Sequence, residues 1–284
     1  MRIPSFRRTR IAPTPSGYLH LGNVLSFALT AGLARRSGAS ILLRIDDLDR
    51  ERISGEYVED IFATLNFLGI PWDEGPRDAG EYERVWSQVH RLEEYREALE
   101  RLKERGKVFA CDCSRSKILR ESPEGVYPGT CREKGMSLDM EGCSWRVKTD
   151  AGLPAEMTDF VVRKKDGYPA YQLTSVIDDL YFGVDVVVRG DDLRASTAAQ
   201  QWLAGELGFD EFRRIRFYHH LLLMESGDEK MSKSAGATSV QDLRRRGLKR
   251  AEIYSMILQR LGSDAAAGSW EEFADASGLL VDWL

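Results

Sequence analysis

Apolar residues recur at helical spacing from Leu21 onward, at Leu21, Val24, Leu25, Ala28, Leu29, Gly32 and Leu33. That stripe predicts an amphipathic helix, and Arg35, Arg36 and Gly38 supply the cations and the glycine that close one. Before it, a short apolar run over residues 9–12 predicts a strand entering the tight loop Pro13-Thr14-Pro15-Ser16-Gly17. Residues 40–45 read as a buried strand. Residues 54–69 predict a second helix, with Val58, Ile61, Phe62, Leu65 and Leu68 on one face. Residues 82–105 predict a third, long and heavily charged, ending at Gly106. Strand, helix, strand, helix at these lengths predicts an α/β fold, a parallel sheet joined by right-handed crossovers.

The rhythm then breaks. From about residue 111 to residue 150 the chain holds turn clusters and all four cysteines, as an insertion with its own small fold would. Strand signals return at residues 159–163, 170–176, 184–188 and 219–224. A polar loop follows, then a pair of basic amphipathic helices to about Gly262. Trp270-Glu271-Glu272-Phe273 suggests one or two packed turns near the end. The expected organisation is a first catalytic half over 1–106, an insertion over 107–158, a second catalytic half over 159–225, and a loop with helical segment over 226–284.

Composition narrows the class. With 284 residues, 43% hydrophobic and 30% charged, the chain can bury a real core and does not read as disordered. The longest apolar runs, such as Ile41-Leu42-Leu43 and Val186-Val187-Val188, are strand-length and far short of the ~18 residues of a membrane span. The basic N-terminus is not followed by an apolar stretch, so no secretory signal is expected and the cytoplasm is the expected location. A net charge of −5 argues against a protein held on nucleic acid by bulk charge, though not against a local basic face. Four cysteines in a cytosolic chain point to a metal or to nothing.

Two motifs carry chemistry. In Gly17-Tyr18-Leu19-His20-Leu21-Gly22-Asn23, a turn feeds the N-terminus of the first helix. Free backbone N–H groups and the positive end of the helix dipole make that a phosphate site. Gly22 would let a flat ligand approach the backbone, and His20 and Asn23 can both donate to a phosphate chain. Some two hundred residues later, Lys230-Met231-Ser232-Lys233-Ser234 places two cations three apart in a polar loop, a clamp for a leaving pyrophosphate.

Together these resemble the HIGH and KMSKS signatures of class I aminoacyl-tRNA synthetases. The stretch from Thr9 to Asn23 is similar to the opening of glutamyl-tRNA synthetases. So are Leu43-Arg44-Ile45-Asp46-Asp47-Leu48-Asp49, Ala170-Tyr171-Gln172-Leu173 with Asp178-Asp179, and Val188-Arg189-Gly190-Asp191-Asp192. The resemblance spans about residues 7–262. It implies a Rossmann-like parallel-sheet catalytic domain, a zinc-containing insertion and a short helical C-terminal segment. It implies activation of L-glutamate by ATP with Mg²⁺, carried by positioning and electrostatics. His20, Asn23, Lys230 and Lys233 would be catalytic. Gly17, His20, Gly22, Asn23 and Lys233 would bind ATP. Arg10, Ile11, Ala12, Pro13, Thr14, Asp46, Tyr171 and Arg189 would hold glutamate. Asp46 would take the ammonium, where many relatives carry Glu, and Arg189 the side-chain carboxylate, helped by Tyr171.

Three thiolates, Cys111, Cys113 and Cys131, suit tetrahedral zinc. On ligand chemistry alone the fourth position would go to Cys143. The resemblance to glutamyl-queuosine tRNA(Asp) synthetases instead implies Tyr127. The chain stops about twenty residues after the helical segment, where glutamyl-tRNA synthetases carry an anticodon-reading domain. This matches the shortened glutamyl-queuosine family, which glutamylates the queuosine base of tRNA(Asp). The implied partner is then the anticodon stem-loop, met by a monomer through Arg244, Arg245, Arg246, Lys249 and Arg250, with Lys103, Arg105 and Lys107. A compact glutamyl-tRNA synthetase charging a 3′ end, or a non-catalytic tRNA-binding paralogue, remain the alternatives.

Overall fold

The structure, a computed structural model, describes residues 5–150, 152–223 and 239–278. In chain order the elements are β1 (Arg8–Ile11), α1 (Leu21–Ser37), β2 (Ser40–Leu43), α2 (Gly55–Leu68), the single turn α3 (Ala79–Glu81), α4 (Leu92–Glu104), β3 (Val108–Cys111), α5 (Arg115–Glu121), β4 (Ser144–Val147), β5 (Val161–Arg163), α6 (Tyr171–Tyr181), β6 (Val186–Gly190), α7 (Arg194–Leu207), β7 (Arg216–His220), α8 (Val240–Arg245), α9 (Arg250–Arg260) and α10 (Trp270–Ala276). They divide into two compact units. Among the described residues, 5–90, 184–192, 216–223 and 239–278 form the first; 91–150, 152–183 and 193–215 form the second.

The first unit is built on a four-stranded sheet in the order β2-β1-β6-β7, and every pairing is parallel. The expected parallel sheet is therefore present. The cap signals also hold: Gly38 and Gly69 end α1 and α2 in the left-handed conformation, φ 65° and 73°, which costs glycine no side-chain clash. The predicted stripe on α1 is broader than expected. Every residue from Phe27 to Ala34 is buried, because α1 packs on the sheet on one side and on α9 and α10 on the other.

The second unit carries an antiparallel sheet, β3-β4-β5, with α4, α6 and α7 packed together. Three expectations are corrected by the structure. Residues 170–176 are not a strand; they open helix α6. Every residue from Gln172 to Asp179 is buried, the polar Gln172, Thr174, Ser175, Asp178 and Asp179 included. The predicted helix over residues 82–105 is broken. A π-turn over Tyr82–Trp86 ends at Ser87, whose ψ of 142° leaves the helical region, and α4 begins only at Leu92. The break follows from a buried acceptor, Asp47, described below. The strand expected over 219–224 begins earlier, at Arg216–His220, and residues 221–223 lie beyond it.

Candidate active site and metal centre

Because β2, β1 and β6 run parallel, their C-terminal ends share one edge of the sheet. Open α/β sheets bind ligands at that edge. The chain beyond β2 stays beside the loop after β1: Arg44 donates its N–H to the Ile11 carbonyl at 2.9 Å, and Asp46 to that of Pro13 at 3.0 Å. Thr9 pairs with Val186, so three residues further along both strands Arg189 is level with Ala12. Arg10, Ile11, Pro13, Asp46 and Arg189 are buried at this edge, and Ala12 and Thr14 half-buried. The Arg189 guanidinium stands 4.8 Å from the centre of the Phe217 ring. Asp46 is gripped by Arg44 through two contacts, Nε to Oδ1 at 2.7 Å and Nη2 to Oδ2 at 3.1 Å.

The N-terminus of α1 meets the same loop. His20 is its cap: Nδ1 accepts the Gly22 N–H at 3.1 Å, and the Asn23 side-chain oxygen accepts the His20 N–H at 3.0 Å. With Nδ1 an acceptor, the neutral ring carries its proton on Nε2, which can then donate. The open side of Gly22 faces this ring, and a Cβ there would stand 3.0 Å from His20 Cε1. Gly22 thus makes room for the cap. Lys230 and Lys233 lie outside the described residues. Ser239, where the described chain resumes, forms a bridge with His20, and Val240 donates to the Leu19 carbonyl at 2.8 Å.

Asp47 organises the second loop, a role unassigned from the sequence. Fully buried, it accepts from the Tyr82 hydroxyl at 2.5 Å, the Ser87 hydroxyl, the Gln88 N–H at 2.9 Å and Arg50 at 2.9 Å. Gln88 returns the contact, its oxygen accepting the N–H groups of Asp47 and Leu48 at 2.7 and 3.2 Å. Burial, and then the Asp47 charge, push the Tyr82 hydroxyl pKa far up, so it stays a donor. An acidic pair beside a predicted strand end was the available signal.

In the second unit, Tyr171 is the first residue of α6 and is 41% exposed. With Tyr127, Arg146 and Gln172 it lines a cavity of about 290 Å³. Asp178, fully buried in α6, accepts from Arg91 at 2.8 Å and from the Tyr95 hydroxyl at 2.7 Å, tying α6 to α4. Tyr171 and Arg189 belong to different units.

Cys111, Cys113 and Cys131 are buried, and their sulfurs lie within 4.8 Å of one another. Cys113 and Cys131 sulfurs are 3.5 Å apart, near the ~3.8 Å edge of a tetrahedron with 2.3 Å zinc–sulfur bonds. The Tyr127 hydroxyl is 3.6 Å from the Cys111 sulfur and accepts the Cys131 N–H at 2.8 Å. Cys143 is buried but outside the group. Burial pushes the Cys111 thiol pKa up, but the Tyr127 hydroxyl, the Cys113 N–H and Arg146 outweigh it and hold it below the ordinary value. Burial and the neighbouring sulfurs push Cys113 up to about 12, a cost that a bound cation removes. The donor set therefore fits a soft divalent metal.

An open parallel sheet whose carboxyl edge meets a helix N-terminus is a Rossmann-like fold. The family described as tRNA synthetases class I (E and Q), catalytic domain, matches residues 7–141 and 142–281. The chain belongs to this family of ligases. It is 37% identical over 257 residues to a glutamyl-Q tRNA(Asp) synthetase of Synechococcus sp., covering 89% of this chain and 83% of that one. It is 37% identical over 265 residues to a glutamate–tRNA ligase of Dehalococcoides mccartyi, covering 84% of this chain and 53% of that one. Among solved structures, a glutamate-tRNA synthetase from Elizabethkingia anophelis shares the fold, with a TM-score of 0.74 at 21% identity over 95% of this chain and 65% of that one. No helix among the described residues is long and apolar enough to cross a membrane.

Proposed function

We propose that this protein activates L-glutamate with ATP as glutamyl-adenylate and transfers the glutamate to the queuosine base at the wobble position of tRNA(Asp). The observation that carries the activation step is the gathering of Arg10, Asp46 and Arg189 at the carboxyl edge of the sheet, beside the His20-capped end of α1. Those groups match a substrate with two carboxylates and one ammonium. Asp46 accepts the ammonium; Arg189 grips the side-chain carboxylate; Arg10, Ile11, Ala12, Pro13 and Thr14 form the wall. The α-carboxylate of glutamate then attacks the α-phosphate of ATP, and pyrophosphate leaves. His20 Nε2–H and the Asn23 amide donate to phosphate oxygens as charge grows there, and Gly17 and Gly22 keep side chains out of the way. Lys230 and Lys233 hold the pyrophosphate. Mg²⁺ accompanies ATP and neutralises its phosphates.

Zinc is the metal we assign to Cys111, Cys113, Cys131 and Tyr127, where it would clamp β3 to the segment holding Tyr127 and Cys131. The transfer step rests on likeness to relatives named glutamyl-Q tRNA(Asp) synthetase and on the basic residues Arg244, Arg245, Arg246, Lys249 and Arg250. A monomer working in the cytoplasm is the expected form. Pyrophosphate exchange with glutamate, glutamine and aspartate tests the activation step. Exchange is expected with glutamate; exchange with glutamine in its place would overturn the assignment.

A further inference from the structure

Arg146 lies on β4 opposite Phe109 of β3, and Ser144 lies opposite Cys111. Side chains alternate along paired strands, so these four share one face of the sheet. Tyr127 rests on that face. Its ring stacks 6.2 Å from Phe109, and the Arg146 guanidinium carbon stands 3.8 Å from its centre. Arg146 is fixed from behind, Nη1 donating to the Asp159 carbonyl at 2.8 Å. The Asp159 carboxylate is itself held by the N–H and hydroxyl of Thr149, at 2.9 and 3.0 Å.

Arg146 is only 8% exposed, and no carboxylate among the described residues pairs with its guanidinium. A buried cation without a counter-charge is costly, and the cost demands an account. The metal centre offers one. Three thiolates around a divalent ion leave one negative charge, and a phenolate ligand would leave two. Lys134, 3.6 Å from the Cys131 sulfur, supplies one exposed cation, but Asp112, 3.1 Å from the same sulfur, opposes it. The Cys111 and Tyr127 side of the centre faces Arg146.

We propose that Arg146 is the positioning residue and counter-cation of the metal centre, holding the Tyr127 ring in ligating position and balancing the negative charge that metal binding concentrates there. The inference rests on the zinc assignment made above. Its electrostatic part is a cation over an aromatic face, strongest when desolvated, as here.

The test is zinc affinity of the purified full chain, by competition with a chromogenic chelator. Arg146→Met should bind zinc 10–100-fold more weakly than the unaltered protein, the usual range for loss of an outer-shell partner. Arg146→Lys, which keeps the charge, should lose less. In a Tyr127→Phe background the Arg146→Met penalty should shrink several-fold, since the residue acts through Tyr127. An equal penalty in both backgrounds would reduce Arg146 to a packing residue and overturn the proposal. So would unaltered affinity in Arg146→Met. Should Arg146→Met not fold, the same cycle run with Arg146→Lys decides. Failure of the unaltered protein to bind zinc would instead remove the zinc assignment beneath it.

Discussion

Asp47→Ala removes the acceptor on which the segment after α3 closes. Three donors lose their partner: the hydroxyls of Tyr82 and Ser87 and the N–H of Gln88, in residues that are all nearly fully buried. Each such bond to a charged acceptor is worth about 1.5–3 kcal/mol, but relaxation and water entry return part of it. The Arg50 contact adds little, because its side chain is 43% exposed. Removing one partner from a buried charged network costs about 3–5 kcal/mol, and that is the expected loss here. A domain stability of about 5–15 kcal/mol survives it in a weakened state. Urea unfolding at neutral pH, followed by circular dichroism, measures the loss. Asp47→Asn keeps the shape and one acceptor and should lose about half as much. The functional consequence is selective. Gln88 also secures the N–H groups of Asp47 and Leu48, so the loop beginning at Asp46 loosens. In pyrophosphate exchange below the unfolding range, the KM for glutamate should rise more than that for ATP. A loss in Asp47→Ala below about 1 kcal/mol, or equal changes in both KM values, would refute the reasoning.

Three further outcomes follow from the geometry. Arg189→Leu should weaken glutamate by about 2–5 kcal/mol and leave ATP nearly unchanged in pyrophosphate exchange, since it deletes the partner of a buried carboxylate. Cys113→Ser should release zinc on purification whereas Cys143→Ser should retain it; metal analysis reads the difference, and the reverse pattern would give the fourth position to Cys143. Burial holds the His220 imidazole below its ordinary pKa of 6.5, against the opposing pull of the Leu221 carbonyl, Asp192 and Asp191. Protonation therefore favours the unfolded chain: the contribution of His220 is complete above about pH 6.5 and declines as pH falls below it. Urea midpoints at pH 7.5 and pH 5 should fall further for the unaltered protein than for His220→Gln.

Much of the first unit is legible in residue order because its signals are local. Gly38 and Gly69 mark helix ends that only a left-handed residue satisfies, and short apolar runs mark strands of a parallel sheet. The failures have one physical source, burial by distant residues. Residues 170–176 include the β-branched Thr174 and Val176 and read as a strand, yet they open a helix buried on nearly every side. Ser87 breaks a well-patterned helix because Asp47, forty residues earlier, recruits its hydroxyl. In the cysteine cluster the spacing of Cys111, Cys113 and Cys131 is local enough to read. The choice between Tyr127 and Cys143 is not, because ligand chemistry favours the thiol while the packing on Phe109 and Arg146 brings the phenol to Cys111. Asp46 and Arg189 could be named by resemblance, but only the parallel register sets them at one edge.

The central claim is that glutamate, once activated, is attached to a base of the anticodon and not to a terminal ribose. It is tested by transfer of labelled glutamate to tRNA(Asp) prepared with queuosine, without queuosine, and with queuosine but lacking the 3′-terminal CCA. Label is expected on the first and third and absent from the second, and its transfer should fall steeply with added salt, since phosphate contacts would hold the loop. Labelling of tRNA(Glu) that vanishes when its 3′ adenosine is removed would contradict the claim and make this protein a compact glutamyl-tRNA synthetase.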